Sequence, residues 1–207
     1  MYQDALELLR LTRAETLSMS SGLSQGQVDY QPAPGRWSVG EVLDHLLHSE
    51  KLYQDIIARL IELEKDGKRA VISDSFAQVN TSIAYIPKPM LPFIELPLAV
   101  FNLFVPTFVR EVMTEFRILP AQNPDIARPE RGKPLGELRD ALRASYEKTA
   151  ALFTDNPTLD YRRMRYRHPL MGDNHVLEVL RIVAFHERRH QSQMRDVLNL
   201  KEFPKAA

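Results

Sequence analysis

The chain has 207 residues, 44% of them hydrophobic and 26% charged, enough for one core of ordinary size and hence one expected domain over residues 1–207. Lys plus Arg and Asp plus Glu both number 27, so no global field draws in nucleic acid or anionic lipid. Cysteine is absent, which excludes disulfides, thiolate metal ligands and a cysteine nucleophile, and fits an expected cytoplasmic location.

The N-terminal segment MYQDALELLRLTRAET has acidic residues early and lacks the apolar core of a secretion signal. It reads as an amphipathic helix from Gln3 to Met19. Leu6, Leu9 and Leu17 share one side at helical spacing, and Leu8 and Leu11 widen that face. A loop rich in Gly, Pro and Ser follows. Ser38 and Glu41 then form a capping-box pattern, in which each side chain satisfies the other residue's backbone N–H. The second helix starts there and runs to about Lys65, where Asp66-Gly67 ends it. Trp37 holds the hydrophobic-staple position before the cap and is assigned to packing.

Nine of the 14 prolines lie between Pro87 and Pro134, and Pro87, Pro89 and Pro92 rule out a helix around them. A third helix is expected over Leu96 to Phe116, with Pro97 in its first turn and Pro106 kinking its middle. Its most apolar part, Leu96 to Val109, is shorter than the roughly 20 residues a membrane span needs. It predicts a buried helix, or failing that a lipid- or partner-facing surface. A fourth helix fits Leu135 to Phe153, with Leu138, Leu142, Tyr146 and Ala150 on one stripe. The stretch YRRMRYRHPLMGDN reads as a basic loop, and Asn174 as the cap of a fifth helix running to about Asn199. No series of strands is evident. The expected fold is all-α: an antiparallel four-helix bundle with a Pro-rich, apolar insert in mid-chain.

The chemistry lies in the histidines. His186 and His190, in HERRH, are four residues apart, so two imidazoles share one helix face one turn apart. They fall on the apolar stripe of Val176, Val179, Val183, Met194 and Val197. Two imidazoles on a core-facing stripe are costly unless something satisfies them, and one metal ion is the simplest partner. A third ligand is expected on the second helix. His45 lies at the edge of the stripe formed by Val42, Leu46, Tyr53, Ile56 and Leu60, while His48 lies further round. Three neutral imidazoles with one open position describe a catalytic-type site for zinc, nickel or another borderline metal. The bland alternative is three separate core histidines, each hydrogen-bonded.

HERRH also matches the H-E-x-x-H pattern of metallopeptidases, with Glu187 acting on the ion's water. Such enzymes take a third ligand downstream, and no histidine follows His190. A general-base or supporting role for Glu187 stays open, beside the alternative of a helix-face carboxylate paired with a cation. Arg162, Arg163, Arg165 and Arg167 precede His168. Such a run binds a substrate carboxylate or phosphate, or more commonly pairs with acidic surface residues.

Two motifs carry a family resemblance: GRWSVGEVLDHLLHSE from Gly35 to Glu50, and RHPLMGDNHVLEVLRIVAFHERRHQSQM from Arg167 to Met194. Their order and separation resemble the DinB-like superfamily, which includes relatives of mycothiol- and bacillithiol-dependent transferases. The resemblance implies a four-helix bundle with a three-histidine metal site. Its first ligand, eight residues after the Trp, falls on His45, and its last two fall on His186 and His190. It also implies a homodimer and a low-molecular-weight thiol as a cofactor; His168, which recurs in the family, is a candidate substrate contact or equally a turn residue, and Arg167 of the arginine run is the other candidate contact to a small-molecule substrate. The expected function is a metal-dependent thiol S-transferase or hydrolase with metal-bound thiolate or water as nucleophile. The alternatives are a non-catalytic metal-binding or stress-response bundle and an HExxH-type metallopeptidase. Neither nucleic acid nor a membrane span is expected.

Overall fold

The computed structural model describes residues 2–75, 82–83, 107–115, 121–122, 127–169 and 171–205. Its elements are α1 (Tyr2–Met19), α2 (Gln25–Val28), α3 (Val39–Lys65), β1 (Val71–Ser73), β2 (Ser82–Ile83), α4 (Thr107–Glu115), β3 (Ala121–Gln122), α5 (Leu135–Thr154), β4 (Arg165–His168), β5 (Gly172–His175) and α6 (Val176–Leu198). The chain is mostly helical, as expected. Long helices pack in the pairs α1–α6, α1–α5, α3–α5 and α3–α6, and α4 lies on α6.

Helix ends follow the capping chemistry. Ser38 accepts from the Glu41 N–H at 3.2 Å, and Glu41 accepts from the Ser38 N–H at 2.9 Å, which fixes where α3 starts. Asp66 ends it, with Gly67 in the left-handed region at φ 68°. The same reciprocal pattern at Ser24 and Gln27 builds the short α2 inside the expected loop. Gly40 lets α2 approach closely, because a Cβ there would lie 2.8 Å from Val28 Cγ1.

Several expectations need correction. The fold is not purely α, because a small sheet of order β1-β4-β5 is present. The basic stretch read as a loop forms the β4–β5 hairpin, and β1 pairs with β4 in parallel. Tyr166 on β4 is buried and its hydroxyl donates to Asp74 at 2.7 Å, tying the strand pair together. The cap of α6 is His175, whose Nδ1 accepts from the Glu178 N–H, rather than Asn174. Leu11 is 51% exposed, so the apolar face of α1 is narrower than expected. Of the helix expected over 96–116, Thr107–Glu115 is found; residues 96–106 and 116 lie outside the described residues, as does most of the Pro-rich insert. No helix among the described residues is long and apolar enough to cross a membrane.

The core has two apolar clusters. One joins Leu6 and Leu9 of α1, Ile57 and Leu60 of α3, Phe153 of α5 and Val179 and Leu180 of α6. The other joins Val42, Leu43 and Leu46 of α3, Leu138 and Leu142 of α5, and Met194 and Val197 of α6. Between these stretches, all four helices bury polar groups: Arg13 and Thr16, Ser49 and Glu50, Thr149, then Glu187, His190 and Gln191. That polar layer holds the candidate site.

Candidate metal centre

The capping box at Ser38 sets the start of α3, and His45 follows two turns in. It is 1% exposed. Its Nδ1–H donates to the Ala127 carbonyl at 2.7 Å, so Nε2 is left as a lone pair. On α6, His190 donates from Nδ1 to Gln193 Oε1 at 2.5 Å, which likewise frees its Nε2. His186 is half-buried one turn earlier, and the His186 and His190 Nε2 atoms are 3.1 Å apart. The three residues each offer one ligand atom, and these atoms lie within 4.8 Å of one another.

This donor set fits a divalent ion. Metal–imidazole bonds of about 2.0–2.1 Å in a tetrahedral site place two ligand nitrogens about 3.3 Å apart. The 3.1 Å spacing of His186 and His190 is close to that value. Two lone pairs facing each other at this distance repel unless a cation or proton lies between them. Burial pushes the His45 imidazole down to about 4, and the charges of His48 and Arg189 add to the effect. His186 and His190 also lie well below the usual histidine value, mainly through burial, with neighbouring imidazoles contributing. All three shifts favour the neutral imidazole, the form that coordination requires.

The surroundings hold these rings in place. Trp37 stacks on His190 with ring centres 6.0 Å apart and lies 4.8 Å from His45. Its expected role was packing, and what it packs against is the histidine group. Asp44, next to His45, accepts from the Glu130 N–H at 2.7 Å and pairs with Lys133 Nζ at 2.8 Å. Adjacent residues of α3 thus fasten residues 127–133, the segment that supplies the Ala127 carbonyl.

Glu187 faces α1. Arg13 Nε donates to its Oε1 at 2.9 Å and Nη2 to its Oε2 at 3.0 Å, and Thr16 donates to Oε1 at 2.6 Å. Arg13 also donates to Glu50 at 2.8 Å and to the Leu142 carbonyl. Ser145 and Thr149 complete Glu50 at 2.6 Å each. The cation paired with Glu187 is therefore Arg13, and both carboxylate oxygens are engaged, a geometry that does not support a general-base role. His168 accepts from the Met171 N–H at 3.1 Å in the β4–β5 turn, and burial pushes it down to about 4. Arg167 is exposed and pairs with Asp173 at 3.3 Å, while Arg165 pairs with the same carboxylate at 2.8 Å. Neither His168 nor Arg167 is part of the histidine group.

Sequence reasoning missed Arg13, Ser49, Glu50 and the Ala127 carbonyl. For Arg13 a signal existed: it continues the Leu6–Leu9 stripe at helical spacing, and a cation on a core stripe implies a buried partner. A family model described as the DinB superfamily matches residues 8–194. No curated protein and no solved structure matches the chain.

Proposed function

Since the chain belongs to the DinB superfamily, we propose that His45, His186 and His190 hold one divalent ion, zinc or nickel, at the centre of a metal-dependent enzyme. The observation that carries this reading is the three buried or half-buried imidazoles with their ligand atoms within 4.8 Å. A bound ion supplies Lewis acidity and lowers the pKa of a thiol or water at its open position. The chain's own residues do the rest. Ala127 and Gln193 set the tautomers of His45 and His190. Trp37 covers one side of the His45 and His190 rings.

Transfer of a thiol group onto a small-molecule substrate is favoured over hydrolysis. Glu187, the natural base for a hydrolase or an HExxH-type peptidase, is engaged by Arg13 and Thr16. Thiol transfer needs only an open position and an accessible ligand, and His186 is the most exposed of the three. In the same reading, residues 1–207 form one antiparallel four-helix-bundle domain that works as a homodimer in the cytoplasm. His168 and Arg167, on β4, are the candidates for substrate contacts in this reading.

The test is metal content by plasma mass spectrometry on protein purified without a His tag. About one zinc or nickel per chain is expected, lost in His45→Ala and His190→Ala. Metal-loaded protein is then assayed for transfer of small thiols to electrophiles. A wild type that carries no metal and ignores added zinc and nickel would sink the reading. A loaded protein inert toward every thiol and ester would leave the non-catalytic metal-binding bundle.

A further inference from the structure

Ser49 lies one turn after His45 on α3 and is buried, 7% exposed. Its Oγ is 3.3 Å from His45 Nε2, the ring nitrogen that Ala127 does not engage. Because His45 Nδ1 carries the proton donated to Ala127, Nε2 can only accept, and Ser49 is the donor. That nitrogen has a single lone pair, and an ion held by His45 takes it. Loading the site therefore deprives a buried hydroxyl of its acceptor. The neighbouring carboxylate of Glu50 does not offer a new one, since Arg13, Ser145 and Thr149 already fill it.

An atom 3.3 Å from a ligating nitrogen lies at about the spacing of two ligands on one tetrahedral ion. Ser49 Oγ is thus a buried hydroxyl on the side of His45 Nε2 from which an ion would be held. We propose that Ser49 is a specificity residue, and that its hydroxyl donates to the exogenous ligand completing the coordination of the ion. Three neutral imidazoles leave the charge of a divalent ion uncompensated, and a hydroxyl donor adds to the preference for an anion. The ligand class is a small monoanion with one donor atom, a thiolate being the case relevant to catalysis. This inference rests on the metal-centre reading above.

The test uses Co(II) as a visible probe and azide as the monoanion, on full-length wild type, Ser49→Ala and Ser49→Thr. Alanine is a good helix former, so α3 is retained, and circular dichroism checks this. Co(II) affinity, measured by chelator competition, is expected to stay within about threefold in both variants. Azide affinity, read from the Co(II) spectrum, is expected to fall about tenfold in Ser49→Ala, the effect of one hydrogen bond to a charged group. Ser49→Thr, which keeps the hydroxyl, restores it. Unchanged azide binding in Ser49→Ala overturns the role of Ser49 and leaves the metal centre standing; the hydroxyl has then turned to its own helix carbonyl. A Co(II) affinity that falls with azide binding unchanged makes Ser49 a support of the histidine and also overturns the proposal. Failure of the wild type to take up Co(II) removes the metal centre and this inference together.

Discussion

Replacing Arg13 with methionine lowers the stability of the chain by about 3–5 kcal/mol, read as a shifted urea midpoint and a Tm drop of roughly 10 °C. Arg13 is 3% exposed, Glu50 2% and Glu187 1%, so three ionised groups share a site nearly free of water. Burial alone would lower the pKa of the guanidinium, but the charges of Glu187 and Glu50 outweigh that penalty and hold it above the ordinary arginine value. Every carboxylate oxygen in the group has a donor. Methionine fills the volume and removes the charge, leaving two buried carboxylates without their cation. An uncompensated buried charge costs far more than the intact pair contributes.

The same asymmetry predicts a rescue. Neutralising the acids as well, in Arg13→Met/Glu50→Gln/Glu187→Gln, recovers at least half of the loss. Arg13→Lys falls between wild type and Arg13→Met, because an ammonium keeps the charge but cannot reach Glu50, Glu187 and the Leu142 carbonyl with one planar fork. A cost under about 1 kcal/mol for Arg13→Met would show that the group is as replaceable as a surface ion pair. The group also bears on function. Glu50 is on the helix that carries His45, and Glu187 is on the one that carries His186 and His190. Arg13 of α1 thereby bridges the two helices that carry the histidine group, and Thr16 adds a second bond to Glu187.

What the sequence made legible was local. The capping box at Ser38 and Glu41, the spacing of His186 and His190, and the stripes of α5 and α6 are contained within a few turns, where helical geometry alone fixes which residues meet. His45 followed from the stripe of α3 because a facing ligand needs a core-edge position. The sheet was not legible for the opposite reason. β4 is four residues, Arg165–His168, too short for an alternation to show, and its partner β1 lies more than ninety residues earlier. The cap of α6 falls one residue after Asn174 because His175, whose imidazole is not among the favoured capping groups, takes that role. Glu178, three residues after His175, was the available signal, since Asn174 has Leu177 at that position. Glu187 was ambiguous by nature: the pattern H-E-x-x-H places a carboxylate beside the ligands but not its partner. That partner, Arg13, is 174 residues away, and only tertiary structure supplies it.

Lowering the pH from 7 to 4.5 strips several kcal/mol of stability from the metal-free chain. His45 and His168 are each pushed down to about 4, and His175, His186 and His190 are also lowered, in every case mainly by burial. In the unfolded chain each imidazole titrates near 6.5. Above that value neither state is protonated and the full stability is present. As pH falls below about 6.5, the unfolded chain binds protons that the folded chain refuses, so stability declines. The decline for each group ends only once pH passes its folded value, which for His45 and His168 is about 4. A depression of this size corresponds to on the order of 3 kcal/mol per imidazole. Urea unfolding of chelator-treated protein at pH 7.5, 6.5, 5.5 and 4.5 measures the slope. His45→Gln/His190→Gln, which removes two of the buried imidazoles, flattens it. A stability that stays constant between pH 6.5 and 4.5 would mean the rings are protonated in the folded state. The same neutrality has a second consequence, independent of unfolding. If the ligands are already unprotonated at pH 7, uptake of zinc releases almost no imidazole protons. Its binding enthalpy is then the same in buffers of different ionisation enthalpy, whereas a solvent-exposed histidine trio would release a measurable fraction of a proton.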